Sequence, residues 1–216
     1  CRTLSLAEVR RSVKEGVPPE NPPYVFLTFD DGCRSHLELV VPELKKQNMV
    51  ATFFVTLPKE ASRETLGRDE IRQLSKMTEV QSHTRTFQTL PRKSKESEAD
   101  YIKRLDNSLV SFRIDLAELT GKDVFALAYP SGEYDHDVMV RAQKAGYELC
   151  FTTEYGTIGP NEPPLELPRF MVTKETSLQE IEQFVNDDKH IHALAALSCL
   201  LLAVSCFVVM LTTLRS

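Results

Sequence analysis

The run YVFLTF at residues 24–29, followed by Asp30, Asp31 and Gly32, decides the fold of this chain. The run is apolar and β-rich, which predicts a buried strand, and the acidic pair with glycine predicts a turn at its end. Residues 37–47 then place leucine and valine at helical spacing. The segment therefore predicts a strand, a loop and a helix.

The same unit recurs along the chain. Further strands are predicted at residues 51–56, 79–82, 124–129, 149–153 and 167–172, and further helices at 68–77, 96–119, 137–145 and 177–185. Strands that alternate with helices predict a parallel α/β fold, and continuous apolar strand runs predict strands covered on both sides or closed into a barrel. In such folds the chemistry lies at the C-terminal ends of the strands.

Composition places the chain among ordinary globular proteins. It has 216 residues, of which 42% are hydrophobic and 26% are charged, and its net charge is -5. This length suits one catalytic domain, and the charge indicates neither a nucleic-acid partner nor a disordered acidic tail. The five cysteines show no zinc-ligand spacing and no readable disulfide framework.

The two ends differ from the middle. Residues 1–23 are interpreted as a proline-rich lead-in, and the start at Cys1 rather than Met predicts a piece or a processed chain that has lost a signal peptide. Residues 191–214 contain no Asp, Glu, Lys or Arg and predict a transmembrane helix, with a buried core helix as the alternative. The flanking charges do not decide its orientation.

Carboxylates and an imidazole follow neighbouring strands of the predicted sheet. Asp30 and Asp31 cannot both be cheaply ionised in a confined cleft without a cation or a hydrogen-bond donor. His83, after the strand at 79–82, supplies a ligand suited to zinc or a similar divalent ion. A metal site at this edge is the hypothesis, and a solvated turn is its alternative.

Four ordered motifs resemble those of the polysaccharide deacetylase family, also called the NodB-homology domain or carbohydrate esterase family 4. They are TFDDG at 28–32, SHT at 82–84, AYPSGEY at 128–134 and FTTEYG at 151–156. The Y-P-x-G-E-Y string and LPRF at 167–170 are most similar to the branch that deacetylates poly-N-acetylglucosamine. The resemblance implies a distorted (β/α) barrel over residues 24–186.

The resemblance also implies site residues and an activity. Asp30 would be the general base, Asp31 and His83 would bind a divalent metal, expected to be zinc, and a metal-bound water would attack the amide of an N-acetylated sugar. The products would be acetate and a free amine. The bond cleaved is a carbon–nitrogen amide bond of a polysaccharide, not a peptide bond. Tyr129 and Pro130 would border the acetyl pocket.

Two further residues of the Y-P-S-G-E-Y string complete the expected substrate contacts. These are Glu133 and Tyr134.

The family's second metal-binding histidine is missing. Its positions hold Phe87, which cannot ligate a metal, and Gln88, whose carbonyl oxygen is a poorer zinc ligand and is the expected replacement. His36 and His136 follow other strand ends and are weaker candidates, because a solvated histidine in the first turn of a helix is common. The metal site is therefore expected to be weakened.

A charge partner for the base is sought further along the chain, with an exposed surface arginine as the alternative interpretation of the candidate. The family's usual arginine is absent from the third motif, where Ala128 stands, and Arg169 is the candidate to hold Asp30 ionised. No residue is assigned as general acid.

Three functional hypotheses follow. The leading one is an N-deacetylase of an N-acetylglucosamine-containing polysaccharide, anchored to a membrane with its catalytic domain outside the cytoplasm. The second is a glycan-binding module with a metal site too poor for turnover, and the third is another metal hydrolase on a similar scaffold. The sequence does not identify the polymer or the oligomeric state.

Overall fold

The computed structural model of the chain describes residues 2–17, 19, 24–57, 64–159, 162–186 and 195–199. Within these residues the strands are Arg2–Thr3 (β1), Tyr24–Phe29 (β2), Thr52–Val55 (β3), Glu79–Ser82 (β4), Ala126–Ala128 (β5), Leu149–Phe151 (β6), Phe170–Val172 (β7) and Ala195–Cys199 (β8). The helices are Leu6–Glu15 (α1), Val41–Lys46 (α2), Arg68–Ser75 (α3), Glu98–Leu105 (α4), Phe112–Thr120 (α5), His136–Lys144 (α6) and Leu178–Asn186 (α7). Wider π-helical turns at His36–Val40 and Asp106–Ser111 lead into α2 and join α4 to α5.

The strands form one parallel sheet with the order β6-β5-β4-β3-β2-β8-β7, and β1 pairs with the start of β2. Parallel neighbours need crossover connections, and the helices between the strands supply them. All described ladders are parallel. The predicted parallel α/β fold is therefore confirmed.

The two ends of the sheet approach each other. Leu167, shortly before β7, forms a parallel bridge with Phe151 in β6. The Leu167 amide donates to the Cys150 carbonyl at 2.8 Å, and the Thr152 amide donates to the Leu167 carbonyl at 2.9 Å. The sheet is thus curled towards a barrel, and the segment before β7 shares an interior with β2.

Burial explains why these runs are strands. Every residue of β2, β3 and β5 is buried, as strands covered on both faces require. Outside the sheet, α5 buries Phe112, Leu116 and Leu119, a spacing that places all three on one helix face. This packing holds the C-terminal ends of the strands in a fixed arrangement.

The N-terminal segment contains structure that the lead-in prediction missed. α1 begins with a capping box, in which the Ser5 amide donates to Glu8 Oε2 at 2.8 Å and the Glu8 amide donates to Ser5 Oγ at 3.3 Å. The helix buries Leu6 and Val9. The interpretation of 1–23 as only a lead-in is wrong for these residues, because the capping signal and the apolar spacing outweigh the nearby prolines.

The apolar segment near the C-terminus is a strand where the structure describes it. Residues 195–199 form β8, in register with Val25 to Phe29 of β2. The helix predicted over 191–214 is therefore wrong for 195–199, and its other residues lie outside the described ones. An uncharged apolar run suits a central parallel strand as well as a membrane helix. No helix in the described part of the chain is long and apolar enough to cross a membrane.

Candidate active site

The acidic pair lies in a tight turn directly after β2. Asp31 and Gly32 both have left-handed backbone conformations, with φ of 77° and 71°. The Asp31 carbonyl accepts a hydrogen bond from Thr56 Oγ1 at 3.3 Å. Asp30 and Asp31 are both buried, and their side chains contact different partners, Arg169 and His83 respectively.

Gly32 is required in this turn for two reasons. Its φ suits glycine, and a Cβ there would lie 3.2 Å from Val55 Cβ. Gly121 has a similar φ of +67° but nothing within 4 Å of its Cβ position. We expect Gly121→Ala to lower the free energy of unfolding by about 1 kcal/mol and Gly32→Ala by about 2 kcal/mol. Urea unfolding measures both, and equal losses would show that the Val55 contact costs nothing.

Asp30 forms a bidentate ion pair with Arg169. The Arg169 nitrogens Nη1 and Nη2 donate to Asp30 Oδ1 and Oδ2 at 2.9 and 2.8 Å. Arg169 is fully buried, and its Nε donates to the Thr152 carbonyl at 2.8 Å. The residue lies just before β7 and reaches Asp30 through the interior of the curled sheet.

This pair keeps Asp30 ionised. Burial alone would raise the pKa of Asp30, but the charges of Arg169 and His83 and the hydrogen bonds from Arg169, with a smaller contribution from His36, hold the pKa below its usual value. Two parallel charge-assisted hydrogen bonds also fix the plane of the carboxylate. Asp30 is therefore a pre-oriented carboxylate at the edge of a cavity.

His83 follows β4 and faces Asp31. Its Nδ1 lies 2.8 Å from the Ala128 carbonyl, and its Nε2 lies 3.3 Å from Asp31 Oδ1. Burial lowers the pKa of His83, but the contacts with Asp31 and the charge of Asp30 outweigh it, and the net shift is upward. Both ring nitrogens thus face an acceptor, and a metal bound at Nε2 would displace a proton.

These groups open onto a cavity of about 520 Å³. Its lining residues are Asp30, Asp31, His83, Phe87, Tyr129, Pro130, Ser131, Thr153 and Met171. Carboxylates and imidazole thus lie beside an apolar wall. The structure brings the predicted residues Asp30, Asp31, His83, Tyr129 and Pro130 together here.

Tyr134 supports this wall from behind. Its ring stacks on Tyr129 with the centroids 4.8 Å apart. Its hydroxyl lies 3.1 Å from a carboxylate oxygen of both Glu154 and Glu166, and it can donate to one of them at a time. Burial and these two carboxylates raise the pKa of Tyr134. Tyr134 therefore positions Tyr129 and is not one of the residues that line the cavity.

Two other predicted site residues do not reach the cavity. Gln88 is exposed, and its Oε1 accepts a hydrogen bond from Lys93 Nζ at 3.2 Å. Phe87, its neighbour, lines the cavity instead. Glu133 is exposed and lies outside the lining. The structure therefore does not place Gln88 as the replacement ligand, because its side chain points into solvent and bonds to Lys93.

The weaker histidine candidates also lie elsewhere. His36 is buried against Phe29 and Phe53, with each ring centroid 5.5 Å away, and its Nδ1 has no hydrogen-bond partner among the described residues. Burial lowers the pKa of His36 to about 4, which keeps the ring neutral near pH 7. His136 begins α6 and lines a different cavity. Neither residue supplies a third donor to the cavity.

A divalent metal would find two protein donors in this cavity. The Ala128 carbonyl orients the His83 ring so that Nε2 points at Asp31 Oδ1, an outer contact that metal-binding histidines normally make. Among the described residues no group of three or more His, Cys, Asp or Glu side chains is arranged to hold a metal. The residues present fit a metal site with one ligand fewer than the usual three.

Several groups contribute to the site although the sequence did not predict them. Thr28 Oγ1 accepts a hydrogen bond from Arg169 Nη1 at 3.2 Å, and Met171 lines the cavity. Both residues could have been predicted from the sequence. Thr28 lies two positions from Asp30 and Met171 two positions from Arg169, and residues two apart on an extended segment share one face. The Thr152 carbonyl had no such signal, since any residue carries that group.

Comparison with known proteins decides the family. The family model described as polysaccharide deacetylase matches residues 18–150. The chain belongs to the polysaccharide deacetylase family. The resemblance drawn from the four motifs is therefore confirmed, and the curled parallel sheet is the fold of this family.

Individual relatives of the chain agree with that family assignment. The chain is 26% identical over 187 residues to the poly-beta-1,6-N-acetyl-D-glucosamine N-deacetylase of Staphylococcus aureus, covering 81% of this chain and 62% of that protein. The chain spans 51% to 62% of the length of the first curated relatives it matches.

Two solved structures share the fold. The Streptococcus pyogenes deacetylase PplD, solved in complex with acetate, has a TM-score of 0.73 and 24% identity over 84% of this chain and 78% of that chain. IcaB from Ammonifex degensii has a TM-score of 0.68 and 19% identity over 85% of this chain and 82% of that chain. These likenesses concern the fold alone.

Proposed function

We propose that this polysaccharide deacetylase removes N-acetyl groups from an N-acetylglucosamine-containing polysaccharide, with Asp30 as general base. The observation that carries the proposal is the buried Asp30–Arg169 pair at the edge of a cavity that also contains Asp31 and His83. The Staphylococcus aureus relative is a poly-beta-1,6-N-acetyl-D-glucosamine N-deacetylase, which supports the substrate class. Family membership supports the reaction.

Asp30 is suited to take a proton from an attacking water. Arg169 occupies one direction at each carboxylate oxygen, and each oxygen keeps capacity for a further hydrogen bond. Because Arg169 is itself fixed by the Thr152 carbonyl, Asp30 needs no rearrangement when the proton arrives. A general base positioned in this way contributes about 10²- to 10⁴-fold in rate.

Asp31 and His83 are the residues that would hold a divalent metal, which we propose to be zinc. When bound, such an ion polarises the acetyl carbonyl. Tyr129, Pro130 and Met171 form the apolar wall on which the acetyl methyl group can rest. Cleavage of the amide carbon–nitrogen bond adds water across it and yields acetate and a free amine on the sugar.

Acetate release tests this proposal. The full chain is incubated with β-1,6-linked N-acetylglucosamine oligomers, with added zinc and with EDTA, and acetate is measured against Asp30→Asn. We expect acetate from the zinc sample alone. Circular dichroism verifies that Asp30→Asn is folded. Acetate at or below the level of the Asp30→Asn control, at saturating zinc, would refute the deacetylase.

A glycan-binding module is the second candidate, favoured by the pair of donors where three are usual and by Phe87 at a histidine position. It predicts saturable binding of the same oligomers without acetate release at any zinc concentration. The deacetylase predicts both binding and release.

We also propose that the chain acts outside the cytoplasm, because polymers of this class are found there. The membrane anchor predicted over 191–214 is not part of this proposal, because residues 195–199 form a strand of the sheet. Protease accessibility of the chain in intact cells tests the location, and complete protection would contradict it.

A further inference from the structure

Phe87 is an exposed aromatic side chain at the mouth of the active-site cavity. Its exposed fraction is 53%, yet it lines the same cavity as Asp31 and His83. A large apolar side chain left half in water gains little from folding. An exposed aromatic residue beside convergent polar groups instead indicates a binding surface.

The loop that presents Phe87 is held on both sides. Before it, Arg85 Nε donates to the Asn107 carbonyl at 3.3 Å, and its guanidinium forms an ion pair with Asp115. After it, Arg104 donates to three successive backbone carbonyls, at Thr89, Leu90 and Pro91.

Arg104 is in turn anchored by Glu96, with Arg104 Nε 2.7 Å from Glu96 Oε1. Thr84 Oγ1 also donates to the Thr86 carbonyl at 2.7 Å, which tightens the turn before Phe87. The backbone on both sides of Phe87 is thus tied to the protein by side-chain hydrogen bonds. The ring is pre-organised at the cavity, and little conformational entropy is lost when a ligand packs on it.

The cavity as a whole is amphipathic. Asp30, Asp31 and His83 form its polar part, and Phe87 and Met171 belong to its apolar part. A pyranose ring has matching properties, because its axial C–H groups form an apolar face and its hydroxyls lie at the edges. Aromatic rings bind such a face by stacking flat against it.

We propose that Phe87 is the stacking platform for a pyranose ring of the polysaccharide, at the position where the family's second histidine would stand. The inference rests on the proposed function and adds a specificity-determining residue to it. The substitution thus exchanges a metal ligand for a sugar contact. The cavity binds the sugar through a rigid ring as well as through its polar groups.

The chain contains no tryptophan, which allows a direct test. Phe87→Trp places the single tryptophan of the variant on the proposed platform. The full chain is titrated in EDTA with a β-1,6-linked N-acetylglucosamine pentamer, and acetate is assayed in the same samples to show that the ligand stays intact. We expect a saturable change in tryptophan emission and a Kd close to that of the wild type measured by calorimetry.

Phe87→Ala is the loss-of-platform variant. We expect its Kd for the pentamer to rise about tenfold, as loss of one stacking contact predicts. Ile114→Ala is the matched control, since Ile114 is 49% exposed on α5 and does not line the cavity, and its Kd should stay at the wild-type value.

The outcomes separate this inference from the proposed function. An unchanged Kd for Phe87→Ala, an unchanged emission of Phe87→Trp, or no binding of the pentamer by the wild type would each overturn the platform. Acetate release by the zinc-loaded wild type can succeed or fail independently of these results. Weaker binding of the pentamer by Phe87→Ala, together with no acetate release by the zinc-loaded wild type, would support the platform and refute the deacetylase.

Discussion

Arg169→Met is expected to lower the free energy of unfolding by about 3–5 kcal/mol, because it leaves Asp30 as a buried charge without its partner. Asp30 is 5% exposed and receives both of its charge-assisted hydrogen bonds from Arg169 at 2.8–2.9 Å. Met keeps an unbranched apolar stem but supplies no donor. Urea unfolding at pH 7 measures the loss.

Arg92→Met is the matched control. Arg92 pairs with Glu98 at 2.8 Å, but the two side chains are 49% and 61% exposed. Exposed pairs of this kind contribute about 0.2–1 kcal/mol. A loss for Arg169→Met as small as that for Arg92→Met would show that the buried pair does not stabilise the fold.

The double variant Asp30→Asn/Arg169→Met separates loss of the pair from creation of an unpaired charge. We expect it to be more stable than Arg169→Met alone, because it removes both buried charges. The pH dependence gives an independent check. The pKa of Asp30 is lowered in the folded state, so its stabilisation is present above the unfolded value, about 3.9, and is lost as the pH falls through the folded value. The difference in the free energy of unfolding between wild type and Arg169→Met should therefore become smaller as the pH falls through the folded-state pKa of Asp30.

Phe87→His is expected to raise the affinity for zinc by about 100-fold or more, because it adds a third protein ligand to Asp31 and His83. Phe87 already lines the cavity with these two residues. Calorimetric titration of the EDTA-treated, dialysed chain with zinc measures the affinity without reference to activity. The same variant should bind the sugar pentamer less tightly, since an imidazole is a smaller platform than a phenyl ring.

Two comparison variants make this prediction specific. Gln88→His places an imidazole one residue further along, where the native side chain is exposed and bonds to Lys93, and it should leave the zinc affinity near the wild-type value. Phe87→Ala removes the ring without adding a metal ligand and should also leave the zinc affinity near the wild-type value. An equal gain from Gln88→His would show that position 88, not 87, faces the metal.

Local patterns in the sequence predicted much of the fold. The strands at Tyr24–Phe29 and Glu79–Ser82 have the predicted bounds. The first is a short apolar run that ends in the turn residues Asp30, Asp31 and Gly32. Helix bounds were less accurate. The predicted helix at 96–119 is two α-helical segments joined by a π-helical turn, a backbone feature for which side-chain periodicity gives no sign.

What the sequence by itself determined is the alternation of strands and helices and the position of Asp30, Asp31 and His83 at strand ends. These follow from hydrophobic periodicity and turn residues, which act over a few neighbouring positions. Arg169 was a candidate partner of Asp30 from the sequence, but whether the two meet depends on the tertiary structure, because they are 139 positions apart and meet only when the sheet curls. The tertiary structure likewise decided that Phe87 rather than Gln88 faces the cavity, since a loop has no fixed period and its direction depends on the Arg85 and Arg104 contacts that hold it.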